Sequence, residues 1–239
     1  MAKNNNLTDF LTDIADAIRA KKGTTGKINP QNFSSEIASI DGGGTPTPPT
    51  PDMPVIGDGK TYLYIKIAAE GRMTVPLYFS QTVANGVTID WGDGSATQTL
   101  SGTGSRNTTH TYAEIGEYRI SLNPASGCTL GLGHGSSSYC VMGSNGNNGR
   151  VYCNMLQAVE VGRNVTSIGN YAFYNCYGMA FYDFSQCTSV PTLGGTNVFS
   201  SIPSDCKIVV PDSLYDTWKA ATNWSTHASK MVKASEFNS

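Results

Sequence analysis

Residues 42–54 read Gly42-Gly43-Gly44-Thr45-Pro46-Thr47-Pro48-Pro49-Thr50-Pro51-Asp52-Met53-Pro54, and no packed element can run through them. The glycines carry too much backbone freedom to order readily, and each proline removes an N–H that a helix or a strand ladder would need. The first part is therefore a flexible joint and the remainder an extended, semi-rigid spacer. It divides the chain into an N-terminal segment, 1–41, and a larger C-terminal part, 55–239. A stiff spacer suits a protein that holds something away from a surface. A soluble enzyme has less use for one.

In the N-terminal segment, Leu7, Leu11, Ile14 and Ile18 fall at alternating spacings of four and three, with Phe10 and Ala17 beside them. That period predicts an amphipathic helix. Asn6 can cap it, Asp9, Asp13 and Asp16 precede Arg19, Lys21 and Lys22 as the helix dipole favours, and Gly23 supplies the stop. A second helix is expected from Asn29-Pro30, a cap followed by proline at the first helical position. Ile28 and Phe33 then form a hydrophobic staple, and the apolar side is Phe33, Ile37 and Ile40. Two short helices cannot bury enough apolar surface alone. They either dock on the body of their own chain or bind a partner or further copies of themselves, and the second reading is favoured. The candidate anchor is thus Leu7, Phe10, Leu11, Ile14 and Ile18 with Ile28, Phe33, Ile37 and Ile40. A homo-oligomer is expected, with a trimer favoured.

Composition narrows the function classes. Charged residues are 14% of the chain and the net charge is -2, with no basic block to neutralise nucleic-acid phosphates. Charge is low against roughly 25% in an average domain, and Gly, Ser, Thr and Asn take its place, which suits turn-rich β structure. No apolar stretch approaches the roughly 18 residues that cross a bilayer, so no membrane insertion is expected. The N-terminus lacks the uninterrupted apolar core of a secretory signal, so export is not expected. Cys128, Cys140, Cys153, Cys176, Cys187 and Cys206 are accordingly read as buried free thiols, and without a CxxC pair zinc is not expected either.

After the spacer, Thr61–Ala68 alternates, with Tyr62, Tyr64 and Lys66 on one side and Leu63, Ile65 and Ile67 on the other. Thr74–Phe79 and Val87–Trp91 are further strands. Asp90-Trp91-Gly92-Asp93-Gly94-Ser95 follows, then His110-Thr111-Tyr112, then Gly116-Glu117-Tyr118-Arg119-Ile120-Ser121-Leu122. This ordered set resembles the PKD family of immunoglobulin-like β-sandwiches and implies such a domain over 55–124. Asp93-Gly94 is a tight-turn signal, and Tyr118, Ile120 and Leu122 alternate as a half-buried strand does. Asp90 and Asp93 could bind calcium, but turn formation explains them without metal. His110 reads as a structural hydrogen-bonding residue.

Residues 125–239 contain a repeat. Val165-Thr166-Ser167-Ile168-Gly169-Asn170-Tyr171-Ala172-Phe173 matches Val190-Pro191-Thr192-Leu193-Gly194 followed by Asn197-Val198-Phe199, and short apolar strands recur around Val161, Phe184 and Val210. A period near 25 residues with one strand per unit is the mark of a leucine-rich-repeat solenoid. The wording of Val165–Cys176 resembles the BspA-like branch, although the second copy lacks the cysteine in register. About two units are recognisable, so the solenoid is short and needs a cap. Asp212 is expected to cap a closing helix containing Leu214, Trp218 and Ala221. Before the repeat, Gly131, Gly133 and Gly135 form GxGxG, but no helical pattern follows, which excludes a phosphate-binding loop. Tyr139, Asn145, Asn147, Asn148 and Tyr152 form a possible ligand loop.

No catalytic set emerges. His110, His134 and His227 sit in unrelated contexts, and no acid pair can be nominated. No cofactor is expected. The N-terminal run Leu11–Gly23, Lys27-Ile28-Asn29-Pro30 and Phe33 to Ile40 resembles the opening of fibre and tail-associated proteins of phages and prophages, which join it to PKD-like and BspA-like modules. The resemblance implies a mainly β structural virion protein, assembled in the host cytoplasm and released by lysis. Residues 1–41 would bind other virion proteins, and the β modules would contact host surface or glycans as a head fibre, decoration protein or tail adhesin. The alternatives are a BspA-like bacterial cell-surface adhesin and, third, a carbohydrate-active enzyme.

Overall fold

The computed structural model describes residues 7–22, 25, 27–29, 56–133, 139–144 and 152–237. The chain divides into two compact units, Met1–Asp52 and Met53–Ser239, within the spacer. In the first unit, helix α1 spans Leu7–Lys22. Ala15 and Ile18 are buried, whereas Leu11 and Ile14 are half-buried. Ile18, expected on a partner-facing seam, is already covered within the chain. Ile28 is half-buried, and Phe33, Ile37 and Ile40 lie outside the described residues.

The second unit is mainly β. Its strands are β1 (Thr61–Ile67), β2 (Thr74–Gln81), β3 (Val87–Asp90), β4 (Gln98–Thr99), β5 (Gly104–Thr111), β6 (Gly116–Pro124), β7 (Leu130–Leu132), β8 (Tyr139–Cys140), β9 (Gly143–Ser144), β10 (Leu156–Glu160), β11 (Val165–Ile168), β12 (Phe181–Asp183), β13 (Thr192–Leu193), β14 (Lys207–Val210) and β15 (Met231–Lys233). They form an eight-stranded sheet in the order β15-β14-β12-β10-β1-β6-β3-β4 and a five-stranded sheet in the order β13-β11-β7-β2-β5, with β8 and β9 as a separate pair. Both large sheets are mixed. Up to residue 124 the pairings are antiparallel: β1 with β6, β3 with β6 and β4, and β2 with β5. Thereafter β10, β12, β14 and β15 run parallel in one sheet and β7, β11 and β13 in the other.

Alternation explains how the sheets meet. Leu63, Ile65 and Ile67 on β1 and Val75, Leu77 and Phe79 on β2 point into one core shared with Leu156, Val159, Ile168 and Ile208. Each such side chain contributes roughly 1.5–3 kcal/mol on burial. The opposite side of β1 is not solvated as simple alternation would have it. Tyr62 and Tyr64 are buried with Ala158 and Phe181 in a second cluster on the outer side of the eight-stranded sheet, covered by Ile56 and Phe237. All six cysteines are buried and unpaired. Burial pushes the Cys187 and Cys206 thiols up to about 12. No described helix is long and apolar enough to cross a membrane.

The sheets run through the position, 124/125, where the sequence suggests a boundary between modules. β1 pairs antiparallel with β10, and β2 with β7, so each sheet is completed by strands from both sides of that position. The reason is edge satisfaction: an open strand ladder in either half is closed by a strand of the other. Successive parallel partners lie about 25 residues apart along the chain, as Ser167 opposite Thr192 illustrates, except at β7 and β11, where Gly131 and Ser167 are 36 apart. Phe173 and Phe199, equivalent in the sequence repeat, stack with ring centroids 5.8 Å apart.

The C-terminal end departs from expectation at Asp212. A 3-10 turn, Asp212–Leu214, leads into helix α2 (Tyr215–Ala220), and Asp212 does not cap it. Its carboxylate instead accepts the Ser235 N–H at 3.1 Å and the Ser235 hydroxyl, tying down helix α3 (Ala234–Phe237). Ala221 lies beyond the end of α2 in an extended conformation. Trp218 is fully buried against Phe184 and Trp224, and the Trp224 indole donates to the Pro191 carbonyl at 2.7 Å.

Candidate ligand-binding face

The outer face of the five-stranded sheet carries a row of small polar residues set in register. Ser105 on β5 faces Ser80 on β2, Ser80 faces Gly131 on β7, Gly131 faces Ser167 on β11, and Ser167 faces Thr192 on β13. Strand alternation puts them there. With Phe79 turned inward, Ser80 must turn outward, and with Leu130 and Leu132 inward, Gly131 must do the same. A Cβ on Gly131 would collide with Ser80 Oγ and stand 2.7 Å from Ser167 Oγ, so the two hydroxyls lean over the glycine from either side. Among the described residues neither hydroxyl has a hydrogen-bond partner.

A pocket of about 370 Å³ opens here, lined by Ser80, Thr82, Thr129, Gly131, Thr166 and Ser167 and completed by Gln81, Thr103 and Gly104. Among the described residues its wall contains no charged side chain and no large apolar one. Part of it is braced: Thr129 N–H donates to Thr82 Oγ1 at 2.9 Å. Gln81 Nε2 donates to the Leu100 and Gly102 carbonyls at 2.6 and 2.8 Å, while Arg106 donates to the Ser101 carbonyl at 3.1 Å and to that of Thr103. The loop at 100–103 is therefore held at several points. Gln81 itself is 1% exposed, and its Oε1 has no partner among the described residues.

Two other polar clusters are consumed by the fold. Asp90 Oδ1 accepts the Gly92 N–H at 2.9 Å and Asp93 Oδ1 the Ser95 N–H at 3.0 Å, both within the turn. Gly92 has φ +77, and a side chain there would strike the Arg119 carbonyl. Asp93 Oδ2 pairs with His110 Nε2 at 2.7 Å. The imidazole stacks on Trp91 and meets Tyr112 edge-on, and Tyr112 donates to the Trp91 carbonyl at 2.9 Å. Burial alone would raise the Asp93 carboxyl, but its bonds from Ser95 and His110 outweigh that and hold it at about 2. Among the described residues no cluster of His, Cys, Asp or Glu side chains is arranged to hold a metal.

The second cluster was not legible as an acid pair. Glu160 and Asp183, far apart in sequence, face each other across β10 and β12, each 1% exposed. Burial raises both carboxyls above their ordinary range, partly offset by hydrogen bonds. Buried, perturbed carboxylates can mark an active site, but these are occupied. Glu160 accepts the Ile56 N–H at 2.9 Å, the Gly57 N–H at 2.8 Å and the Gln186 amide, and Gln186 Oε1 accepts the Gly59 N–H at 2.7 Å. Asp183 Oδ1 accepts the Ser185 N–H at 2.7 Å. Together Glu160 and Gln186 clamp the point where the chain joins the body.

Of the expected ligand loop, Asn145, Asn147 and Asn148 lie outside the described residues. Tyr139 is in β8, and Tyr152 is half-buried with the Arg72 guanidinium 6.0 Å from its ring centre. The sequence does not mark Ser80, Gly131 and Ser167 as one site, because nothing in their local runs shows that the three strands become neighbours. No family model, curated protein or solved structure matches the chain.

Proposed function

We propose that this chain is a structural protein of a bacteriophage particle, displayed on its surface as a head fibre, decoration protein or tail adhesin. Residues 1–41 attach it to other virion proteins, the Gly/Pro-rich spacer holds the body away, and the body contacts the host surface or its glycans. The observation that carries this reading is the division of the chain within the spacer into a unit with an amphipathic helix and a compact β unit. The body fits the two modules implied by resemblance. The interlocked Trp91, Asp93, His110 and Tyr112 suit a PKD-type sandwich. The parallel strands stepping about 25 residues suit a short BspA-like solenoid capped by Trp218 and Trp224. Six buried, unpaired thiols favour assembly in a reducing cytoplasm over a secreted bacterial adhesin.

Deletion of residues 1–41 tests it. The remaining protein should fold cooperatively and disappear from purified particles. Leu11→Asp with Ile14→Asp, at the half-buried positions of α1, should do the same. Light scattering should report a trimer for the full chain and a monomer for the deletion variant. Full occupancy of the truncated protein on particles would overturn the attachment role of residues 1–41.

A further inference from the structure

We infer that the pocket between β2, β7 and β11 is a binding site for a neutral glycan. It deepens the surface-contact reading above and rests on it for the source of that glycan. Its floor is Gly131, where any side chain would fill the space between Ser80 Oγ and Ser167 Oγ. Those two hydroxyls lack partners among the described residues, and each can both donate and accept. A ligand made of hydroxyl groups offers the same dual capacity, so every contact can find a complementary orientation.

The wall also discriminates. An anion entering it would lose water and meet no cation among the lining residues. Among the described lining residues an aliphatic chain would find little beyond threonine methyls. At about 370 Å³ the space lies near the lower end of small-molecule clefts, which span roughly 300–1,000 Å³. That suits a terminal sugar rather than a long chain held end to end. Position agrees with use. The chain joins the body at Ile56, on the outer side of the eight-stranded sheet, whereas the pocket is on the outer side of the other sheet, across the core. The site therefore lies across the core from Ile56.

The test uses the full chain with neutral oligosaccharides ending in glucose, galactose, mannose or N-acetylglucosamine, and sialylated and sulfated ones as the charged arm. Saturation-transfer NMR should detect a neutral member. Ser80→Ala with Ser167→Ala should weaken it roughly tenfold or more while thermal unfolding is unchanged. Gly131→Ser, which fills the floor, should abolish binding. If that variant fails to fold, the double alanine variant alone decides. Binding of charged members only, of none, or binding indifferent to the serine pair would overturn the site. Absence of the protein from virions would instead sink the display reading and leave the pocket chemistry intact.

Discussion

Glu160 shows how one side chain can serve the fold at an electrostatic cost. It sits in an apolar sheet at 1% exposure, where ionisation is disfavoured, yet the Ile56 and Gly57 N–H groups need its oxygens. Asp183 beside it is similarly raised by burial. For carboxyls with raised folded values, the stabilising contribution is complete below the unfolded value and is lost as pH rises through the folded one. Asp58 and Asp93 go the other way. Burial opposes their charge, but Lys60 and Tyr62 hold Asp58 at about 2, and Ser95 and His110 do so for Asp93. Their contribution is present above the ordinary value of 3.8 and lost as pH falls toward 2. The melting temperature should therefore rise as pH is lowered from neutrality toward the ordinary carboxylate range, and fall as pH drops from there toward 2. Glu160→Gln should flatten the rise, as measured by calorimetry at each pH, and an unaltered profile would contradict the role given to Glu160. Asp212 teaches the converse lesson. Its place before a helical pattern reads as a cap, but Ser235, brought close only by the fold, takes its oxygens.

Among the elements, β1 and β15 carry the most consequence. β1 is legible as a strand from its alternation, but not as the middle of an eight-stranded sheet, because both of its faces are covered by residues distant in sequence. β15 is a three-residue strand at the edge, paired in parallel with β14. It is held from behind by α3 through Asp212 and Ser235. Deleting residues 231–239 would expose the buried Ile208, Val209 and Val210 along an open ladder, a template for edge-to-edge association. The shortened protein should aggregate, read as a rise in light scattering at micromolar concentration. Persistence as a soluble species of unchanged size would show that β14 needs no cover. The strands of the repeat were readable because their spacing is regular. β7 was not, since Leu130-Gly131-Leu132 is too short to declare itself without the partners on either side.

For the whole molecule, the shared core sets the unit of folding. The antiparallel and parallel halves close each other's edges at β1–β10 and β2–β7 and bury their apolar residues together. Residues 53–239 should unfold in one calorimetric transition, with the calorimetric and van't Hoff enthalpies equal. Residues 125–239 alone should fail to fold. Two resolved transitions would show that the halves are independent modules after all.

The sequence by itself determined the break at the spacer, the amphipathic character of α1, the turn at Asp90–Ser95 and the near-25-residue spacing of the later strands. All of these rest on local chemistry: missing N–H groups, periodicity, glycine turns and repetition. Only the tertiary structure decided that the two β regions share both sheets and that Glu160 and Asp183 meet. It also decided that Ser80, Gly131 and Ser167 line one pocket. Those outcomes depend on which strand edges pair, and edge pairing is a choice among many chemically similar backbones. Burial of side chains distant in sequence makes that choice.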